Sequence, residues 1–374
     1  MAKSTDTPIR YAVVGLGHIA QVAVLPAFEN AHNAELTALV SGDDAKLATL
    51  GERHGVGTKH QFHYEDYDEL LDDDLVDAVY IAVPNHLHHE YTVRAAEAGL
   101  HVLCEKPLAV TSQECREMVE VCEANDVYMM TAYRLHFEAA NMTAVQAARD
   151  GEFGDLRYFQ ASFSQDVTPG NVRLMPVEDG GGTLYDMGIY CINAARYLFG
   201  DEPLEVMAMT ESRQGDERFS DCDEMTTAIL RFPHNRLATF TSSFGAYATS
   251  TYRLVGTRGE ALLDPAFGYA TNLAYQFHLD KGQMHAETFE KRDQFGPQLL
   301  YFSDCILQGR RPETDGYEGW ADVQIIEAIY ESAETGQPIA LDIVEPPQRP
   351  DAAQIITRPG FSKPDEIGAS GPSD

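Results

Sequence analysis

Basic residues are scarce in this chain. Its 374 residues carry 27 lysines and arginines against 59 aspartates and glutamates, a formal net charge of −32 at pH 7, and only seven of the basic residues are lysines. Nucleic-acid binding depends on basic surface and counterion release, so polyanionic partners are excluded. Long apolar runs are missing too. None approaches the ~20 residues that cross a bilayer, and the opening MAKSTDTPIR has no apolar signal core. No membrane partner is expected, and a cytoplasmic location is. The cysteines, Cys104, Cys115, Cys122, Cys191, Cys222 and Cys305, form no C-x-x-C and no metal-ligand spacing. They read as reduced, largely buried thiols. His86, His88 and His89 in PNHLHHEY lack a Cys or His partner downstream at ligand spacing, so no metal is expected.

What is abundant is carboxylate. Such a surface is either an ordinary acidic one or an adaptation to high salt, where ions screen self-repulsion and carboxylates hold water. The imbalance favours the second.

The first third of the chain alternates β-type runs with helical patterns. RYAVVGLGHIAQ, AELTALVSGDDAKLATL, DAVYIAVPN, HVLCEKP and VYMMTAYR are strands or strand–turn–helix units, which implies βαβ crossovers and a doubly wound parallel sheet. This domain is expected over 1–132. After a linking helix near 137–151 come LRYFQASFSQ, LEVMAMTESR, MTTAILRF, RLATFTSSFG, YRLVGT and GEALLD. These are β-formers with little helix between them, so an α+β domain with a large, mostly antiparallel open sheet is expected over 133–344. WADVQIIEAIYESAETG is a late amphipathic helix closed by Gly336. The stretch 345–374 is rich in Pro, Gly and Ser and reads as an arm or a loose end.

GLGHIA fits G-x-G-x-x-A through Gly15, Gly17 and Ala20, with His18 and Ile19 between them. It follows a strand and opens a helix, the context of a Rossmann dinucleotide turn. The glycines admit a pyrophosphate to the helix N-terminus, and Ala20 permits close helix–strand packing. At the end of the second strand, where a carboxylate would take the 2′-hydroxyl of NAD, the chain has Ser41 and Gly42, with Lys46 one turn on. Ser41 and the backbone can donate to a 2′-phosphate, and Lys46 can supply the charge. Asp43 competes, since turned inwards it would accept from the hydroxyl. NADP is favoured over NAD.

CEKPLAV places Glu105 and Lys106 at the C-terminal edge of a parallel strand, where ligands bind in open α/β sheets. In GGGTLYDMGIYCINAARYLFG, Asp186 and Tyr190 stand one helical turn apart, just after a glycine run. The motifs GLGHIA, PNHLHHEY, EKP, AYR and GGGTLYDMGIY together resemble the Gfo/Idh/MocA oxidoreductases, in particular the branch that oxidises aldoses. The resemblance spans about residues 9–343. Many members carry D-x-G-x-H-x-x-D, where this chain has Asp186, Tyr190 and Asn193; the tyrosine form matches the sugar-oxidising branch.

The resemblance implies oxidation of a sugar C1 hydroxyl by hydride transfer to a nicotinamide, with cofactor released or retained to reduce a second sugar. An inositol or 1,5-anhydrofructose reductase is the alternative enzyme, and a non-enzymatic dinucleotide-binding regulator the rival class. Tyr190 is the expected acid/base. A free tyrosine ionises near pH ~10, so Lys106 is expected to stabilise its phenolate and donate to the C1 oxygen. Asp186 would hold sugar hydroxyls or tune that pair. By resemblance, Pro84, Asn85, His88, Glu105 and Arg134 join the cofactor contacts, and Arg173 and Tyr133 the substrate side, although Tyr133 reads equally as a core aromatic. Homodimers or homotetramers through the second sheet are implied as well.

Overall fold

The computed structural model describes residues 7–72 and 74–373. The N-terminal part is a six-stranded parallel sheet of order β3-β2-β1-β4-β5-β6. Its strands are β1 (Ile9–Val14), β2 (Ala34–Val40), β3 (Gln61–Phe62), β4 (Ala78–Ile81), β5 (His101–Cys104) and β6 (Met129–Thr131). The four residues of β4 are all buried, as expected of a strand covered on both faces. Between the strands run helices α1 (Leu25–Ala27), α2 (Asp44–His54), α3 (Tyr67–Asp72), α4 (His88–Glu97) and α5 (Ser112–Ala124). Asp43 caps α2, its carboxylate accepting from the amides of Ala45 and Lys46. Thr111 and Glu114 form a reciprocal capping box on α5, which satisfies two amides that a helix start leaves open.

Helix α6 (Ala139–Arg149) leads to a nine-stranded sheet of order β14-β13-β12-β11-β7-β10-β9-β8-β16. The strands are β7 (Leu156–Asp166), β8 (Glu205–Glu211), β9 (Met225–Phe232), β10 (Arg236–Ser243), β11 (Gly245–Gly256), β12 (Gly259–Leu263), β13 (Leu273–Leu279), β14 (Gln283–Phe289) and β16 (Ile339–Ala340). Every pairing is antiparallel except β7 with β10. One face packs on α6, α7 (Ile189–Phe199) and α9 (Gly316–Thr335). The other face is open: β9 alternates exposed and buried residues along its whole length, the period of a half-buried strand. Tyr158 and Leu237, partners in register, are both exposed there, as are the partners Met207 and Ile229.

Two segments depart from the linear order. Helix α8 (Gly296–Gln308) lies within the stretch assigned to the second domain, yet Leu299, Leu300 and Phe302 pack in the core beneath β1 and β2. The Asn33 amide donates to Leu300 O and to Asp304, and the hydroxyls of Tyr11 and Ser303 are 2.9 Å apart. The C-terminal stretch is an arm laid along the molecule: β17 (Arg358–Pro359) pairs with β15 (Arg292–Asp293), and the Ile356 amide donates to Phe137 O. Among the described residues no helix is long and apolar enough to cross a membrane.

Candidate active site

The C-terminal edge of the parallel sheet faces the start of α7 across a cleft. Lys106 follows β5 and enters from the first side. Its Nζ donates to the Asp186 carbonyl at 2.7 Å and to Asp186 Oδ1 at 3.2 Å. Arg173 Nε donates to Asp186 Oδ2 at 2.7 Å. Burial alone would raise the Asp186 pKa, but Arg173 and then Lys106 hold it far below the usual carboxylate range. Tyr190 completes the group. Lys106 Nζ lies 4.8 Å from its ring centroid and the Arg134 guanidinium carbon 4.9 Å, both within cation–π range. No hydrogen bond joins Lys106 to the Tyr190 hydroxyl; the ammonium is held by Asp186 over the ring face.

The backbone around these groups is built for close approach. Residues Leu184–Gly188, which carry Asp186, form a single π-helical turn that continues into α7, a distortion common at functional sites. Gly182 has φ +94°, and a Cβ there would lie 2.5 Å from Asp223 Oδ1 and 2.7 Å from the Tyr330 hydroxyl. The Asn85 amide donates to Gly180 O at 2.7 Å, tying this glycine loop to the first domain. Behind the cleft α7 is pinned to α9. Asn193 donates to Glu318 and Asp322, and the fully buried Arg196 pairs with Glu202, Glu318 and Asp322. Asn193 therefore belongs to the scaffold that fixes the angle of α7.

The other end of the cleft is the glycine turn. Gly15 has φ +96°, and a Cβ there would sit 2.6 Å from Ala82 O, so only glycine lets this turn pass the loop after β4. A Cβ on Gly17 would meet nothing within 4 Å: the space above it opens into the cleft, as a pyrophosphate requires. Asp43 spends Oδ1 on capping α2, and the Lys46 ammonium has no ion pair among the described residues. Those two facts fit a 2′-phosphate better than a bare ribose. Ser41 is buried and its hydroxyl accepts from the Asp43 amide at 3.3 Å, while Gly42 is exposed beside it.

Gly17, His18, Ile19, Pro84, Asn85, His88, Glu105, Lys106, Arg134, Arg173, Asp186 and Tyr190 all line this one cleft. Ser41, Gly42 and Lys46 lie outside that lining, and Ala20 is wholly buried in the turn that leads into α1. His88 is almost entirely buried, its nitrogens 2.8 Å from Pro107 O and 3.0 Å from Val83 O, and burial pushes its imidazole pKa down; it braces two cleft loops. Burial likewise pushes the Glu105 carboxyl up, and Glu105 accepts from the Tyr80 hydroxyl. Tyr133 is a correction. It is a core residue whose hydroxyl donates to Asp322 at 2.5 Å, and it does not reach the cleft.

Tyr269 was not anticipated. It lies in the loop between β12 and β13 and lines the cleft. Its hydroxyl is 3.3 Å from His18 Nε2, and the Arg134 guanidinium lies 5.3 Å from its ring. The Pro and Gly of DPAFGYAT signal a turn, but nothing local shows where that turn points. Among the described residues no group of three or more His, Cys, Asp or Glu could hold a metal ion.

Known proteins resemble this chain in both of its halves. Residues 9–133 match the family model described as oxidoreductase family, NAD-binding Rossmann fold. Residues 141–262 match the GFO/IDH/MocA C-terminal domain. A D-xylose 1-dehydrogenase (NADP(+)) of Haloarcula marismortui is 33% identical over 91% of this chain and 95% of that protein. A second such enzyme, from Haloferax volcanii, is 32% identical over 89% of this chain and 99% of its own. The crystal structure of an aldose–aldose oxidoreductase from Caulobacter crescentus, complexed with glycerol, superposes with a TM-score of 0.85 at 37% identity, covering 89% of this chain and all of that one. A two-domain chain with a parallel dinucleotide sheet, an open antiparallel sheet and this cleft between them, the protein belongs to the GFO/IDH/MocA oxidoreductase family.

Proposed function

We propose that the protein is an NADP-dependent oxidoreductase that oxidises the C1 hydroxyl of an aldose to the lactone. The observation that carries this reading is the convergence of Lys106, Asp186, Arg173 and Tyr190 at one end of a cleft whose other end is the Gly17 turn. Making C1=O from C1–OH requires the hydroxyl proton to leave to a base while the C1 hydrogen departs with its electron pair. A nicotinamide bound along the cleft supplies the acceptor for that hydride. Tyr190 takes the proton. Lys106 and Arg134, over its ring, favour the negative charge that develops on the reacting oxygens in the transition state. The Asp186 carboxylate accepts from, and Arg173 donates to, the neighbouring sugar hydroxyls, which orients C1.

NADP is supported by the capping role of Asp43, by a Lys46 ammonium with no ion pair among the described residues and by the NADP(+) named for the haloarchaeal relatives. The aldose–aldose oxidoreductase supports a second half-reaction, in which another sugar carbonyl takes the hydride back. The relative named 1,5-anhydro-D-fructose reductase, 28% identical over 88% of this chain, supports the reductive direction as the alternative. The test is a set of initial rates with glucose, xylose, galactose and arabinose, each with NADP and with NAD. Lactone formation with a lower KM for NADP is expected; no C1 oxidation of any aldose overturns the reading.

The open face of the large sheet supports a homodimer or homotetramer formed there, because Tyr158, Leu237, Met207 and Ile229 make an apolar patch of the kind that marks an interface. Light scattering at working concentration checks it; a monomer excludes it.

A further inference from the structure

The C-terminal segment Lys363–Ser373 runs from the start of α2, past the glycine turn, to the loop that carries Arg173. At the end beside α2, a Cβ on Gly368 would lie 3.1 Å from Lys46 Cε and 3.5 Å from Asp43 Oδ2, and the Arg53 guanidinium donates to Asp365 O at 2.8 Å. At the glycine turn, Glu366 Oε2 lies 2.6 Å from His18 Nδ1, and Glu366 is also paired with Lys363 at 2.8 Å. Ile367 and Gln21 exchange two hydrogen bonds: the Ile367 amide donates to Gln21 Oε1 at 2.8 Å, and Gln21 Nε2 donates to Ile367 O at 2.9 Å. At the substrate end the Thr168 amide donates to Pro372 O and Asn171 Nδ2 to Gly371 O, in the loop that carries Arg173. Ser373 Oγ donates to Asp166 O at 2.6 Å. Pro372 itself lines the cleft.

We propose that this segment is a cofactor-retaining strap: it closes over the dinucleotide site, is fastened to both domains, and must detach before the cofactor can exchange. The proposal rests on the cofactor reading above and deepens it. The placement matches the purpose at each point. The strap touches the lysine assigned to the 2′-phosphate, the histidine of the pyrophosphate turn and the loop beside Asp186. Its fastenings among the described residues are scattered hydrogen bonds, the two ion pairs of Glu366 and the edge packing of Ile367 against the first-domain core, so it opens at lower cost than the fold itself. An enzyme strapped in this way keeps its reduced cofactor between sugars, which favours passing the hydride to a second sugar over releasing NADPH.

The experiment loads the full chain with NADPH and follows its release by fluorescence after a chase with excess NADP. The comparison is with a chain ending at Ser362 and with Glu366→Ala, each checked for folding by circular dichroism. Release at least tenfold faster from the shortened chain, and several-fold faster from Glu366→Ala, is expected. Hydrogen exchange supplies a second readout: NADPH should slow the amide of Ile367 in the full chain. Equal release rates, or tighter binding by the shortened chain, overturn the strap while leaving the cofactor reading intact. If neither protein binds NADPH, the cofactor reading falls and the strap with it. Should the shortened chain fail to fold, Glu366→Ala and the exchange rate decide alone.

Discussion

Lys106 and Tyr190 meet face-on: the ammonium lies 4.8 Å from the ring centroid, held there by two hydrogen bonds to Asp186. One residue comes from the end of a parallel strand and the other from the first turn of α7, so their meeting defines where the two domains must close. Replacing either should lower kcat by about 10²–10⁴, with the circular dichroism spectrum unchanged. The variants are Lys106→Ala and Tyr190→Phe, assayed on whichever aldose the wild type turns over fastest. Unchanged turnover in both would remove the assigned roles and place the proton transfer on other groups of the cleft.

Asp186 joins two cations, and that fixes its pH behaviour. Its pKa is depressed on folding despite its burial. The stability it contributes is therefore present above the unfolded value near ~3.9 and is lost as pH falls through the folded one. Asp186→Asn should cost about 1–3 kcal/mol, a range that allows for a side chain 21% exposed. The gap between wild type and variant in urea titrations should stay constant from about pH 5 to pH 9 and close only in stronger acid. A gap that opened or closed near neutrality would show that the carboxylate is not held ionised.

The glycine run before Asp186 answers to two different demands. Gly182→Ala would meet Asp223 and Tyr330 as well as a left-handed backbone. The backbone strain alone is about 1–3 kcal/mol, and the collisions add to it. Gly215 has a similar φ of +81° with nothing within 4 Å, so Gly215→Ala should cost only the strain. Urea midpoints of the two variants separate the effects; equal losses would show that the crowding at Gly182 relaxes freely.

His101 sets a second pH dependence. Its Nδ1 accepts from the Tyr128 amide, and burial pushes the imidazole down to about 4. Its contribution is complete above the unfolded value of ~6.5 and is lost as pH falls toward the folded one, with a slope approaching about 1.4 kcal/mol per pH unit. Chemical denaturation between those limits should show at least this slope, and His101→Gln should reduce it, the remainder including the buried His88. A wild type with no loss of stability across that window would mean that the ring is charged in the native state.

A net charge of −32 repels itself, and salt screens that repulsion within about 10 Å at 0.1 M and about 3 Å at 1 M. The thermal midpoint should rise by several degrees between those two potassium chloride concentrations. A flat response would assign the acidity to an ordinary surface, whatever the habitat of the haloarchaeal relatives.

Much of the cleft was legible in short motifs because each of its main parts is local. Gly15 and Gly17 sit between a strand and a helix, Lys106 ends a strand, and Asp186 and Tyr190 share a turn, so period and punctuation place them. What could not be read is what meets them. Tyr133 stands one residue from Arg134, yet one is core and the other cleft. The difference is set by Asp322, far along the chain. Tyr269, the strap and α8 fail for the same reason. GPQLLYFSDCILQG has proline at its start and glycine at its end, ordinary helix punctuation, but nothing in it names β1 and β2 as its partners. Composition left the C-terminal stretch as either an arm or a loose end, without showing where it runs.

The position of α8 bears on how the protein is made. Ile9, Leu39 and their neighbours need Leu299 and Phe302 as cover, and those residues are translated long after β6 is complete. At about 5–20 residues per second, the ribosome leaves the nascent parallel sheet uncapped on that side for roughly 10–35 s. During that interval the emerging chain is a client for chaperones, and slowing translation downstream of β6 should lower the yield of native protein more than slowing it upstream.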